Sequence, residues 1–147
     1  MKATVLVFSA LLMFVVAGCD TIYGVSRSGS TQVHPGPGEI ETALAAVPGV
    51  TRVTKEFVSP VRYFSLYEGI RKTPGYYQFL ISGVDVSCVL TIGEEKGKEV
   101  RLYSYRMHVP LSQAERVKVE AFMDRVYVGL VARFPELPPP STLKNER

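Results

Sequence analysis

Apolar residues are spaced in three ways along this chain: at helical intervals, in alternation, and once as an unbroken run. Over residues 39–47, Ile40, Ala43, Leu44 and Val47 fall at i, i+3, i+4 and i+7, one face of a short helix. Glu39 and Glu41 suit the positive end of its dipole, and Pro48-Gly49 stops it. Residues 50–58 then read as a strand, cut by Pro60 and resumed over 61–67. The Thr73-Pro74-Gly75 turn opens another strand over 76–82. Alternation is clearest over 84–92, with Val84, Val86, Cys88, Leu90 and Ile92 on one face and Asp85, Ser87 and Thr91 on the other. Gly93-Glu94-Glu95-Lys96-Gly97 forms a hairpin loop, and residues 99–109 return antiparallel. The apolar set of this returning strand changes parity near Tyr103, which predicts either a bulge or a central strand used on both faces.

Ser112-Gln113-Ala114-Glu115 has the form of a capping box, in which serine and glutamate each satisfy the other's orphan backbone N–H. The helix it opens extends to Phe134, where Pro135 ends it. Val119, Phe122, Met123, Val126, Leu130, Val131 and Phe134 form one sustained apolar stripe. Consecutive strands joined by short turns favour an antiparallel sheet, and a helical stripe needs a sheet face to cover. The expected fold is therefore α+β: an antiparallel sheet of four to five strands packed against a long C-terminal helix, with a short N-terminal helix. A single domain is expected over residues 39–135.

The unbroken run lies at the N-terminus. After Met1 and Lys2, residues 4–17 continue for 14 positions without a charge. As a helix this segment would span about 21 Å, short of the ~30 Å hydrocarbon core, so it reads as a secretory signal segment rather than a membrane span. Val16-Ala17-Gly18-Cys19 follows directly. This tetrapeptide resembles the lipobox of bacterial lipoproteins. The resemblance implies a signal peptide over 1–18, a diacylglyceryl thioether on Cys19, fatty acylation of its new amino terminus, and a domain held on the membrane by covalent lipid. Two or more acyl chains make such attachment stable. Asp20 resembles the signal that retains such proteins in the inner membrane facing the periplasm, with the outer membrane as the alternative. The resemblance covers about the first twenty residues and is silent on the folded part.

Residues 19–38 are dense in Ser, Gly and Pro and lack periodicity, the composition of a flexible tether reaching roughly 20–25 Å. Residues 136–147 open with Leu137 and a triple proline and predict an extended, mobile tail. The net charge of +3, with 46% apolar and 21% charged residues, excludes a disordered polyelectrolyte and a multi-span membrane protein. With two cysteines and two histidines, neither a disulfide scaffold nor a metal site is expected, and no cofactor. The charge is mild and unclustered and the domain is read as exported, so nucleic acid is not an expected partner.

Catalytic sets are sparse. Cys88 and His108 could meet across adjacent strands as nucleophile and base. However, Cys88 sits among Val, Leu and Ile, where burial raises a thiol's pKa and leaves it inert. Glu94 and Glu95 read as solvated loop residues. The more informative pattern is aromatic: Tyr63, Tyr67, Tyr76, Tyr103 and Tyr105 lie in or beside strands, with Arg101 and Arg106 interleaved. Tyrosine and arginine make adhesive surfaces and also suit half-buried strands. These observations point to a non-enzymatic, lipid-anchored envelope protein that binds another envelope component or stabilises an assembly, with an envelope protein as the candidate partner. The alternatives are a carrier of an apolar ligand between helix and sheet, and a small envelope hydrolase.

Overall fold

A sheet with one apolar face needs one cover, and the long helix supplies it. The computed structural model describes residues 22–31, 35–60, 62–65, 69–72, 74–93 and 99–146. Its elements are β1 (Ile22–Ser30), α1 (Pro37–Ala45), β2 (Arg52–Val58), β3 (Arg62–Ser65), β4 (Gly69–Lys72), β5 (Tyr76–Gly83), β6 (Val86–Gly93), β7 (Glu99–Met107), α2 (Gln113–Arg133), a 3₁₀ turn (Pro140–Thr142) and β8 (Lys144–Glu146). Six strands form one antiparallel sheet in the order β2-β5-β6-β7-β1-β8, and β3 and β4 pair separately as a hairpin. Both helices pack on one side, giving the α+β arrangement with a long C-terminal helix. The second strand of the β3–β4 hairpin is not marked by alternation in the sequence.

The helices form where the spacing places them. Ser112 Oγ accepts from the Glu115 N–H at 3.2 Å, and the Glu115 carboxylate accepts from the Ser112 N–H at 2.8 Å, which completes the capping box. The Glu39 carboxylate accepts likewise from the Gly36 N–H at 3.0 Å, with Pro37 opening α1. Val119, Phe122, Met123, Val126 and Leu130 of α2 are buried. They meet Phe79, Ile81, Cys88, Leu90, Ile92, Val100 and Leu102 on the covered sheet face, and Ile40 and Leu44 of α1 join the same core. Tyr127 is also buried, although it lies outside the stripe as read from the sequence.

Three expectations are corrected. Residues 22–30 are not tether: β1 pairs with β7 along its whole length, from Ile22↔Met107 to Ser30↔Glu99. The strand has little apolar alternation because Gly24, Ser26, Ser28 and Ser30 face away from the helices. Val25 alone contributes a large apolar side chain to the core, and Arg27 reaches Asp124 of α2. Backbone pairing, not side-chain burial, holds it. The tail is not loose either. Leu137 is buried, the Tyr127 hydroxyl donates to the Pro138 carbonyl at 2.9 Å, and β8 pairs with β1. Prolines with fixed φ lose little entropy when laid down as a strap. Finally, β6 begins at Val86, and Val84-Asp85 forms the turn, with Asp85 at φ 53, a conformation aspartate tolerates better than β-branched residues. β7 is a central strand used on both faces: its register with β1 is continuous from Glu99 to Met107, whereas its pairing with β6 runs from Val100 to Tyr103, where the parity change is expected.

Cys88 lies on the covered face, and burial pushes its thiol up to about 12. Thiol labelling of the folded protein at Cys88 should be slow at neutral pH and fast in denaturant. Cys88→Ala should cost about 1 kcal/mol in urea unfolding, and Cys88→Asp several times that, since an unpaired charge would be buried. Rapid labelling of the native protein would contradict this placement.

Candidate binding cleft on the uncovered sheet face

The parity that sends Val100 and Leu102 under α2 sends Arg101, Tyr103 and Tyr105 to the opposite face. Register then decides their neighbours. Tyr76 of β5 pairs with Gly93 of β6, and Thr91 pairs with Arg101. Gly93 has no side chain, so a depression opens between Tyr76 on one side and Arg101 and Tyr103 on the other. The cleft has a volume of about 470 Å³ and is lined by Tyr76, Thr91, Gly93, Glu99, Arg101, Tyr103 and Tyr105, with Pro74-Gly75 at its rim.

Tyr103 and Tyr105 stack with centroids 4.7 Å apart and planes inclined by 23°. Gly24 of β1 permits this. A Cβ at that position would collide with the Tyr105 ring and the Ser104 carbonyl, so only glycine lets the ring lie against the neighbouring strand. Such pairs contribute roughly 0.5–1.5 kcal/mol beyond area burial. Burial, then the nearby Tyr76 and Tyr105 phenols, push the Tyr103 hydroxyl above its ordinary value of 10.0, while Arg101 pulls it down. Tyr103 therefore stays a neutral donor and acceptor at physiological pH. The Arg101 guanidinium donates to the Glu99 carboxylate at 3.5 Å, a long contact. Flat phenol faces, hydroxyls, a guanidinium and a carboxylate suit stacking and hydrogen bonding to a planar or extended ligand.

The structure thus brings together Tyr76, Tyr103, Tyr105 and Arg101 of the seven residues expected to form a surface. Arg106 does not join them. One residue out of phase with Tyr105, it turns to the helix side and pairs with Glu115 at 2.7 Å. Tyr63 lies on β3, apart from the six-stranded sheet, and Tyr67, Cys19 and Asp20 fall outside the described residues, as does the 94–98 loop. Thr91 and Gly93 were not singled out by sequence, although their parity with Arg101 was a usable signal. Cys88 and His108 are not brought together: Cys88 is under α2, whereas His108 lies beyond the last paired residue of β7. Among the described residues, no three His, Cys, Asp or Glu side chains gather as metal ligands.

A second groove, of about 710 Å³, runs between α1 and the end of α2 along Thr42, Ala43, Ala46, Gly129, Ala132 and Phe134. The helices approach closely there, since a Cβ on Gly129 would meet Val47 Cγ2 at 2.8 Å. This groove is distinct from the space between α2 and the sheet, which Leu90, Leu102, Met123 and Val126 fill.

The Arg106–Glu115 pair has a measurable consequence. Hydrogen bonds from Arg106 first, then from Ser112, hold the Glu115 carboxyl down at about 2, against an ordinary 4.5. A carboxyl depressed on folding stabilises the native state above its unfolded pKa and loses that effect as pH falls through the folded value. Glu115→Gln should therefore be less stable than wild type at pH 6, with the gap narrowing between about 4.5 and about 2. Urea midpoints at pH 6 and pH 2.5 test this, and a gap independent of pH would refute it. Comparison with known proteins adds no relative: no family model, no curated protein and no solved structure matches this chain.

Proposed function

We propose that this chain is a lipid-anchored bacterial envelope protein whose domain is a non-catalytic module that binds another envelope protein through the Tyr76–Arg101–Tyr103 cleft. The observation that carries the binding reading is the convergence of Tyr76, Tyr103, Tyr105 and Arg101 from two strands around one depression on the uncovered sheet face. Residues selected only for strand propensity would not need Gly24 at the position that seats the Tyr105 ring. The Val16-Ala17-Gly18-Cys19 motif after an apolar run supports the anchor, and Asp20 favours the inner membrane.

A photo-crosslinking amino acid at position 76 in the full-length protein should give one dominant protein adduct in intact cells, lost on Tyr103→Ala. The same probe at Val128, exposed on the outer side of α2, should not give it. Adducts indifferent to Tyr103, or arising equally from position 128, would overturn the cleft as the binding site.

The anchor has its own test. Intact mass in a lipoprotein-processing host should show wild-type chain lacking residues 1–18 and carrying acyl mass. Cys19→Ala should retain Met1 and carry none. An unmodified wild-type chain beginning at Met1 would overturn the anchor.

A further inference from the structure

We propose that the end of the domain formed by the Val84-Asp85 turn, the end of β7 and the first turns of α2 is a membrane-docking face that rests in the lipid surface. The proposal rests on the anchor at Cys19. Its physical basis is the correction to the tether. Cys19 precedes Ile22, the first residue of β1, by three positions, and three extended residues reach at most about 10 Å. The roughly 20–25 Å expected of a flexible linker is not available. Whatever lies at the Ile22 end of the sheet is therefore held against the headgroups.

Register and ion pairs define that end. Ile22 pairs with Met107, and β6, paired with β7 from Val89 to Ile92, runs back from Val89 to Val86 toward the same end, so the β5–β6 turn lies there too. Arg106 reaches Glu115, and Lys118 approaches Asp85 at 4.0 Å, which places the first turns of α2 beside both. Among the described residues, apolar exposure is concentrated on this end. Of the eight large apolar side chains exposed among the described residues, Val84, Tyr105, Met107, Val109 and Val117 lie here, each 49–71% exposed. The others, Phe57, Leu80 and Val128, are scattered elsewhere.

The backbone adds a second observation. His108 has φ 66, and the Val109 N–H donates to the Met107 carbonyl at 2.9 Å, a three-residue γ-turn of the strained hand. That turn puts Met107 and Val109 on either side of a sharp bend at the tip of the domain. The charges around them are largely matched within the protein, Arg106 with Glu115, Lys118 with Asp85 and Arg116 with Glu120. These three pairs leave no net charge on this end, so apolar contact drives docking and neutral lipid suffices. Shallow insertion of such side chains, roughly 5–10 Å deep, is how peripheral elements sit in the interface.

The test uses the full-length acylated protein, with a fluorophore placed in turn at Val109→Cys, Val117→Cys and Val128→Cys. Cys88 is buried and inert to the label. The protein is reconstituted in phosphatidylcholine vesicles containing a spin-labelled lipid quencher. Quenching at positions 109 and 117 should exceed that at 128 by about threefold or more. Val84→Glu with Met107→Glu should keep the acyl mass yet abolish the quenching at 117. Equal quenching at all three positions, or absence of lipid quenching with cross-links between copies through position 109, would overturn the docking face. Intact mass separates the two proposals. An acylated chain with unquenched probes defeats docking alone, whereas a chain without acyl mass defeats the anchor.

Discussion

One contact governs the rest: the apolar stripe of α2 laid across β6, β7 and β1. Met123, Val126 and Leu130 are fully buried against Phe79, Leu90, Ile92 and Leu102, and no other described element offers an apolar face of that length. Because side chains alternate along a strand, covering one face commits every residue of the other parity to the far side. Arg101, Tyr103 and Tyr105 are outward for the same reason that Val100 and Leu102 are inward. The helix thus defines the cleft it never touches.

The sheet is completed by strands with few apolar side chains of their own. β1 fills the position beside β7 with glycine and serine, then receives β8 on its outer side. β8 pairs with Ser26, Arg27 and Ser28 only, so it interrupts the outer edge of the nine-residue β1 at its middle, and an interrupted edge disfavours edge-to-edge association. On the opposite flank Lys55 of β2 pairs with Glu41 of α1 at 2.8 Å, so that edge carries charge. The C-terminal strap is secured through Leu137 and the Tyr127 hydroxyl, which links the last residues of the chain to the helix that organises the core.

The two proposed surfaces share a residue. Tyr105 lines the cleft and also belongs to the apolar end of the domain. Register sets Tyr76, Gly93 and Glu99 at the opposite end of the sheet from Ile22, Met107 and the Val84-Asp85 turn, so a partner seated on Tyr76 and Tyr103 would extend from the bilayer-facing end into the aqueous space. A short connection to the anchor restricts orientation, and restricting orientation lowers the entropic cost of meeting another membrane-bound component. The γ-turn at His108 lies at the apolar end, at the point where β7 leaves the sheet.

Local rules were sufficient for part of this molecule. The i, i+4, i+7 spacing of Ile40, Leu44 and Val47, the capping box at Ser112, the stripe from Val119 to Leu130 and the alternation of Cys88, Leu90 and Ile92 depend on short-range periodicity, and each is visible in the residues alone. The lipobox-like motif at Cys19 is likewise read from the chain itself. Tertiary structure decided the remainder. Residues 22–30 show no strand pattern because their pairing is satisfied by β7, 69 to 85 positions away, through backbone groups that every sequence carries. The tail after Leu137 is ordered by a hydroxyl on α2 and a strand at the other end of the chain. Arg106 and Tyr105, adjacent in sequence, part to opposite faces, while Tyr76 and Arg101, distant in sequence, line one cleft. Register is a long-range quantity: one residue of offset moves a side chain from the core to solvent, and that offset is set by partners that periodicity does not name.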